Sequence, residues 1–147
     1  APAMPLFDAM ASKTICLGTP GSGAVMKLAV NMLIHGLNQT VSEALSLAEA
    51  AGIATDRAFD AIEASAAAAP MLSYRRPIYL DEAGHDVTFT VDLARKDMTV
   101  TAELAESLGV AVPQARLNLE KLTEAGAEGY GGRDMASIFN FMRGERT

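Results

Sequence analysis

The sequence predicts a mainly α fold, on three observations. Half of the 147 residues are hydrophobic and a fifth are charged, enough for one domain with a real core. With no Trp and few aromatics, that core must be built from Ala, Leu, Val, Ile and Met. From about Gly21 to Ala51 an apolar pattern of helical period runs unbroken and stops at Gly52, a residue suited to the left-handed end of a helix. Downstream, prolines, glycines and capping residues cut the chain into helix-sized lengths, and no internal repeat is present.

Taken in order, residues 4–11, MPLFDAMA, read as a short helix. Lys13 to Leu17, KTICL, is a β-type run closed by Gly18. The long helix of roughly 30 residues would reach about 45 Å at 1.5 Å per residue, past the needs of its own core. Thr55-Asp56 opens the next helix, to about Ala69, which Pro70 ends. Residues 71–89 read as irregular, through RRPIYL and the acidic loop DEAGHD. Val87 to Val91, VTFTV, alternates like a strand or simply leads into a helix from about Asp92 to Leu108, ended by Gly109. Pro113 opens another, to about Ala125. EGYGGRD is a loop, and Asp134 caps a last helix, MASIFNFMRG. KTICL is the oddity. A single strand is not stable alone, so it pairs with VTFTV or its sheet lies upstream, outside this chain. The opening APAMPLF lacks an initiator methionine, which allows a piece of something longer.

Twelve basic against eighteen acidic residues leave a formal charge of -6, which argues against nucleic acid as the main partner. No apolar run approaches the roughly 18 to 20 residues of a membrane span, and nothing reads as a secretory signal. The one cysteine, Cys16, excludes an internal disulfide and fits a reducing cytoplasm. Within the strand-like run it reads as a core residue rather than a nucleophile.

The stretch LGTPGSGAVMKLAVN, Leu17 to Asn31, concentrates the local chemistry. Gly18 and Gly23 have the spacing that opens a phosphate-binding P-loop, but Ala24 and Val25 follow where Lys and Ser/Thr are required. A dinucleotide fingerprint from Gly21-Ser22-Gly23 needs a small residue at 26 and finds Met26. Both readings fail, and the glycines reduce to a turn into a helix. Lys27, Asn31 and His35 then fall at i, i+4 and i+8, a narrow polar stripe in an apolar surround. Such a stripe faces water, a partner domain or a ligand. In a desolvated cleft the lysine would serve as a general acid or base and the asparagine amide would orient a substrate; His35 reads as the end of the stripe. Further on, Lys96 lies four residues after Asp92 and precedes Asp97, the pattern of an ion-paired exposed helix. Asp81, Glu82, His85 and Asp86 share one loop without a second histidine, so they read as an exposed acidic turn and no metal is expected. Arg75-Arg76 reads as a solvated pair, with an anionic substrate or cofactor phosphate as the other reading.

Taken together these residues resemble the β-hydroxyacid dehydrogenase family, which includes 3-hydroxyisobutyrate dehydrogenases and tartronate semialdehyde reductases. The motif G-x-G-x-x-x-K-x-x-x-N stands here as GSGAVMKLAVN, followed on the same helix by Glu43-Ala44, Leu47-Ala48 and Gly52. Lys96-Asp97 matches a later KD pair, and Gly129-Tyr130-Gly131 with Asp134 a GYG…D loop. The resemblance covers nearly the whole chain. It implies a helical bundle like the C-terminal domain of 6-phosphogluconate dehydrogenase, over residues 19–147, for substrate binding and dimerisation. Residues 1–18 would be the closing helix and strand of a Rossmann domain that this chain lacks. Lys27 would be the catalytic lysine, Asn31 would hold the substrate, and Lys96 and Phe89 would lie on the cofactor side, the cofactor being NAD or NADP. A homodimer or homotetramer is expected, acting on a small hydroxyacid or semialdehyde and inactive as this chain alone. Imine reductases share the fold but usually replace the lysine, so Lys27 favours the hydroxyacid. The alanine-rich residues 64–72, ASAAAAPML, depart from the family's larger or glycine-rich segments and leave the substrate open. The other class of function is a non-catalytic helical dimerisation module built on the long helix.

Overall fold

The structure is a computed structural model that describes residues 3–144; the outer ends of the predicted segments, 1–2 and 145–147, lie outside the described residues. Seven α-helices follow one another: α1 (Met4–Met10), α2 (Ser22–Ala50), α3 (Thr55–Glu63), α4 (Pro70–Leu80), α5 (Val91–Ser107), α6 (Pro113–Ala125) and α7 (Ile138–Met142). A π-type turn at Gly126–Tyr130 and a 3-10 turn at Met135–Ser137 link the last two.

The long helix forms as its pattern predicts. Gly21 enters it at φ 96° and Gly52 leaves it at φ 83°. The amides of Gly52 and Ile53 close on the carbonyls of Glu49 (2.8 Å) and Ala48 (3.0 Å), the paired bonds that a left-handed glycine makes possible at a helix end. All six buried residues of α2 lie from His35 onward: His35, Asn38, Gln39, Val41, Ser42 and Leu45. The second half of α2 is therefore embedded and the first half stands clear. Of two apolar clusters, the first is built on this embedded half and the second receives Met32, a turn earlier on α2. One joins Val41 and Leu45 to Phe59, Leu72, Tyr79 and Phe139; the other is built on α5 and α6, with Met98, Leu122, Tyr130 and Ile138.

Three expectations need correcting. Residues 70–80 are a helix, not irregular. Pro70 stands in its first turn, where the missing N–H costs nothing, and Met71, Leu72, Arg75, Ile78 and Tyr79 recur on one buried face. Pro77 lies on the exposed side near the end, where the broken bond is least costly. Second, the helix expected to reach Ala69 ends at Glu63, because the Ser65 hydroxyl donates to the Ile62 carbonyl at 2.7 Å and competes with the helix. Third, the pairing of KTICL with VTFTV is not formed: Ile15 and Leu17 are exposed, and no β-ladder exists among the described residues. Cys16 is accordingly exposed rather than a core residue. Of its two readings VTFTV takes the lead into a helix: it contributes one isolated bridge, Thr90 to Asp134, before the Thr90 hydroxyl accepts from Leu93 N at 3.1 Å and caps α5. The last predicted helix is divided between the 3-10 turn and α7.

Candidate functional site

The stripe on α2 meets a buried carboxylate on α5. Asp97 lies among Val91, Ala94, Met98 and Thr101 on the buried face of that helix, with a side chain only 7 % exposed. Lys27 Nζ donates to its Oδ2 at 2.8 Å, and Asn31 Nδ2 donates to the same oxygen at 2.5 Å. Lys96 Nζ stands 3.9 Å from Oδ1. Burial alone would push the Asp97 carboxyl up. The hydrogen bonds from Lys27 and Asn31, with the charges of Lys27 and Lys96, outweigh it and hold the carboxyl below its ordinary value. The two lysines remain accessible, at 57 % and 70 % of their side chains.

Beside this cluster opens a cleft of about 130 Å³ lined by Asn31, Ile34, His35, Tyr74, Arg75, Phe89 and Met135. Phe89 packs its ring 5.6 Å from that of His35. Asp134 holds this wall in place. It takes the Arg75 guanidinium in a buried ion pair, and its carboxylate accepts from the amides of Thr88 (2.9 Å), Phe89 (3.3 Å) and Ala136 (2.9 Å). Arg75 Nη1 also donates to Thr88 Oγ1 at 2.9 Å.

All four site residues expected from the sequence thus gather in one region: Lys27 and Asn31 on Asp97, Lys96 at its rim, and Phe89 across the cleft from Asn31. Other expectations change. Asp92 pairs with Arg95 at 3.0 Å rather than with Lys96. Arg75-Arg76 is not a solvated pair: Arg75 is buried on Asp134, and Arg76 bridges Asp60 and Glu63. His35 is not an exposed end of the stripe but is 3 % exposed. Burial, aided by the charges of Lys27 and Arg75 and opposed by Asp97, lowers its pKa to about 4. In the acidic loop, Glu82 pairs with Arg133, and no group of three or more His, Cys, Asp or Glu among the described residues is placed to hold a metal ion. Nor is any described helix long and apolar enough to cross a membrane.

Sequence reasoning gave no role in the site to Asp97 or Asp134, and it read Arg75 as solvated or anion-binding rather than as the buried partner of Asp134. A signal existed for the first. Asp97 falls in the stripe Val91, Ala94, Met98, Thr101, and a carboxylate on a buried face must find a cation.

Residues 21–142 match the family described as "NAD-binding of NADP-dependent 3-hydroxyisobutyrate dehydrogenase". The chain is 28% identical over 143 residues to glyoxylate/succinic semialdehyde reductase 1 of Arabidopsis thaliana, covering 97% of this chain and 49% of that one. It is 30% identical over 141 residues to 3-sulfolactaldehyde reductase of Escherichia coli K12, covering 96% and 47%. Its fold superposes on a crystal structure of 3-hydroxyisobutyrate dehydrogenase from Salmonella typhimurium with a TM-score of 0.85 and 29% identity, over 95% of this chain and 49% of that one. The chain spans about half the length of the curated relatives it matches.

Proposed function

The chain belongs to the β-hydroxyacid dehydrogenase family, and from that membership we propose that it is the substrate-binding half of an NAD(P)-dependent oxidoreductase for a small β-hydroxyacid or semialdehyde. In this reading residues 19–147 are the helical substrate-binding and dimerisation domain, and residues 1–18 are the end of a preceding Rossmann domain. The chain works as a homodimer or homotetramer and does not turn over substrate alone. The observation that carries the reading is the convergence of Lys27 and Asn31 on the buried carboxylate of Asp97, at the mouth of a cleft sized for a small acid.

The residues present fit part of a nicotinamide dinucleotide site. The Asp97 charge is compensated by Lys27 and hydrogen-bonded by Asn31, Lys96 keeps an exposed ammonium beside it, and Phe89 gives the cleft an apolar wall. The cleft, at about 130 Å³, takes substrate rather than dinucleotide. When bound, the nicotinamide would give or take the hydride.

This chain's own part is binding and proton transfer. Lys27 Nζ gives a proton to the substrate oxygen as the carbonyl becomes an alcohol, and takes it back in the oxidation. Asn31, its amide nitrogen fixed by Asp97, leaves its amide oxygen to accept from the substrate hydroxyl. Asp97 is a positioning residue for both. The test is Lys27→Ala in the enzyme joined to its cofactor-binding half. It should lower kcat about 10²- to 10⁴-fold while nicotinamide cofactor still binds; undiminished turnover overturns the assignment.

A non-catalytic assembly module is the second reading; Leu33 and Leu47, exposed on α2 at 68% and 74%, suit assembly equally under both. Under it, Lys27→Ala removes the ion pair to Asp97 and there is no turnover for it to lower.

A further inference from the structure

We infer that the cleft beside Asn31 admits only an uncharged end of the substrate, and that Tyr74, at its rim, is the specificity-determining residue for that end. The inference rests on the oxidoreductase reading above, in which Asn31 holds the reacting hydroxyl. In a small β-hydroxyacid the carbon next to the reacting one carries two ends, the carboxylate and a tail. One of them must enter the cleft that Asn31 lines. The other lining residues decide which. Ile34, Phe89 and Met135 are apolar. Arg75 brings a positive charge, but it is 5% exposed, and its guanidinium is taken up by Asp134 and by Thr88 Oγ1 at 2.9 Å. His35 is 3% exposed and neutral at pH 7. Among the described residues no lysine, aspartate or glutamate lines the cleft; the accessible ammonium groups of Lys27 and Lys96 stand outside it. A carboxylate pushed inside would lose its water and find no free cation, and an ammonium would find no free carboxylate; each is costly. The carboxylate therefore stays outside, and the tail that enters is uncharged. It is also short, because about 130 Å³ is the share of roughly four water molecules.

Tyr74 is the lining residue placed to read that tail. It is 67% exposed, on a helix that buries Met71, Leu72, Ile78 and Tyr79. The backbone immediately after it is anchored, by Arg75 on Asp134 and by Arg76 on Glu63 (2.7 Å) and Asp60 (2.8 Å). The ring of Tyr74 takes no part in those bonds, so a fixed backbone delivers an open side chain to the rim. Whatever charge stands at position 74 is the charge the rim presents to a tail.

The test compares two probes that differ only in the tail, on the enzyme joined to its cofactor-binding half: 3-hydroxyisobutyrate, with a methyl, and hydroxymethylmalonate, with a second carboxylate. The parent should favour the methyl probe in kcat/KM by about 100-fold or more. Tyr74→Arg gives the rim a free cation and should cut that ratio about tenfold, through a lower KM for hydroxymethylmalonate. Ser73→Arg adds the same charge one residue away, at an exposed position outside the lining, and should leave the ratio within twofold. Both positions are exposed, so both variants should melt with the parent. Equal or faster turnover of hydroxymethylmalonate by the parent overturns the charge selection and leaves the enzyme reading standing. A ratio that Tyr74→Arg leaves within twofold, or that Ser73→Arg lowers as far, overturns the assignment to Tyr74. Turnover of neither probe overturns the enzyme reading, and this inference with it.

Discussion

His35 and Asp97 lie on neighbouring helices, and burial acts on them with opposite results. At Asp97 the burial penalty is outweighed by Lys27, Asn31 and Lys96, so the carboxylate stays charged. At His35 it prevails over the attraction of Asp97, with Lys27 and Arg75 adding to it, and the ring stays neutral down to about pH 4. The folded pKa lies below the unfolded value of 6.5. Between those values the unfolded chain binds a proton that the native chain does not, so stability falls as pH falls through that window. From pH 7.5 to pH 4 the loss from this group should be about 3 kcal/mol. Urea denaturation of the parent and of His35→Phe at the two pH values isolates it as the difference between their slopes. Asp97 acts lower: its contribution is present above the ordinary carboxylate value and is lost only as pH falls through its depressed one. Lys27 and Asn31 were legible in the sequence because spacing four apart puts them on one helix face. The buried state of His35 was not, because a third polar residue on that face reads as its continuation until another element covers it.

Segments, rather than single side chains, were where sequence reading failed most. Pro70 read as the end of a helix, yet it opens α4, and Pro77, in a stretch read as irregular, lies on the exposed side of that helix. The period of Met71, Leu72, Arg75, Ile78 and Tyr79 was present but hidden by an arginine in an apolar stripe, and that arginine is buried because Asp134, far along the chain, neutralises it. No local pattern reports such a partner. Asp134 therefore carries the wall of the cleft, joining α4, the Thr88–Phe89 segment and the turn into α7. Replacing it by Ala leaves the Arg75 charge buried and three amides without their acceptor. Asp134→Ala should cost about 3–5 kcal/mol, measured by chemical denaturation, whereas Arg57→Ala, which removes only the exposed pair with Asp60, should cost less than about 1 kcal/mol.

Across the whole molecule, the mainly helical class was legible because it rests on period and punctuation, which are local. The expected strand was not realised because a strand needs hydrogen-bond partners, and none exists among the described residues. The same scale holds the proposed assembly. Val30 and Leu33 are exposed on α2, and an apolar groove of about 510 Å³ runs from Met32, Leu33 and Leu37 to Val112 and Pro113. Leu33→Glu should convert a dimer into monomers in sedimentation equilibrium without changing helix content by circular dichroism; an unchanged mass would remove this face from the assembly. The uneven burial of α2 has a mechanical meaning as well. The helix is a cantilever, clamped from His35 onward, with Lys27 eight residues, or about 12 Å, beyond the clamp. The Asp97 carboxylate is the strut that steadies its free arm. In the proposed reaction, where a misplacement of about 1 Å can cost about a hundredfold in rate, the worth of that strut would lie less in holding the fold together than in the narrowness of the arc through which the lysine nitrogen can swing.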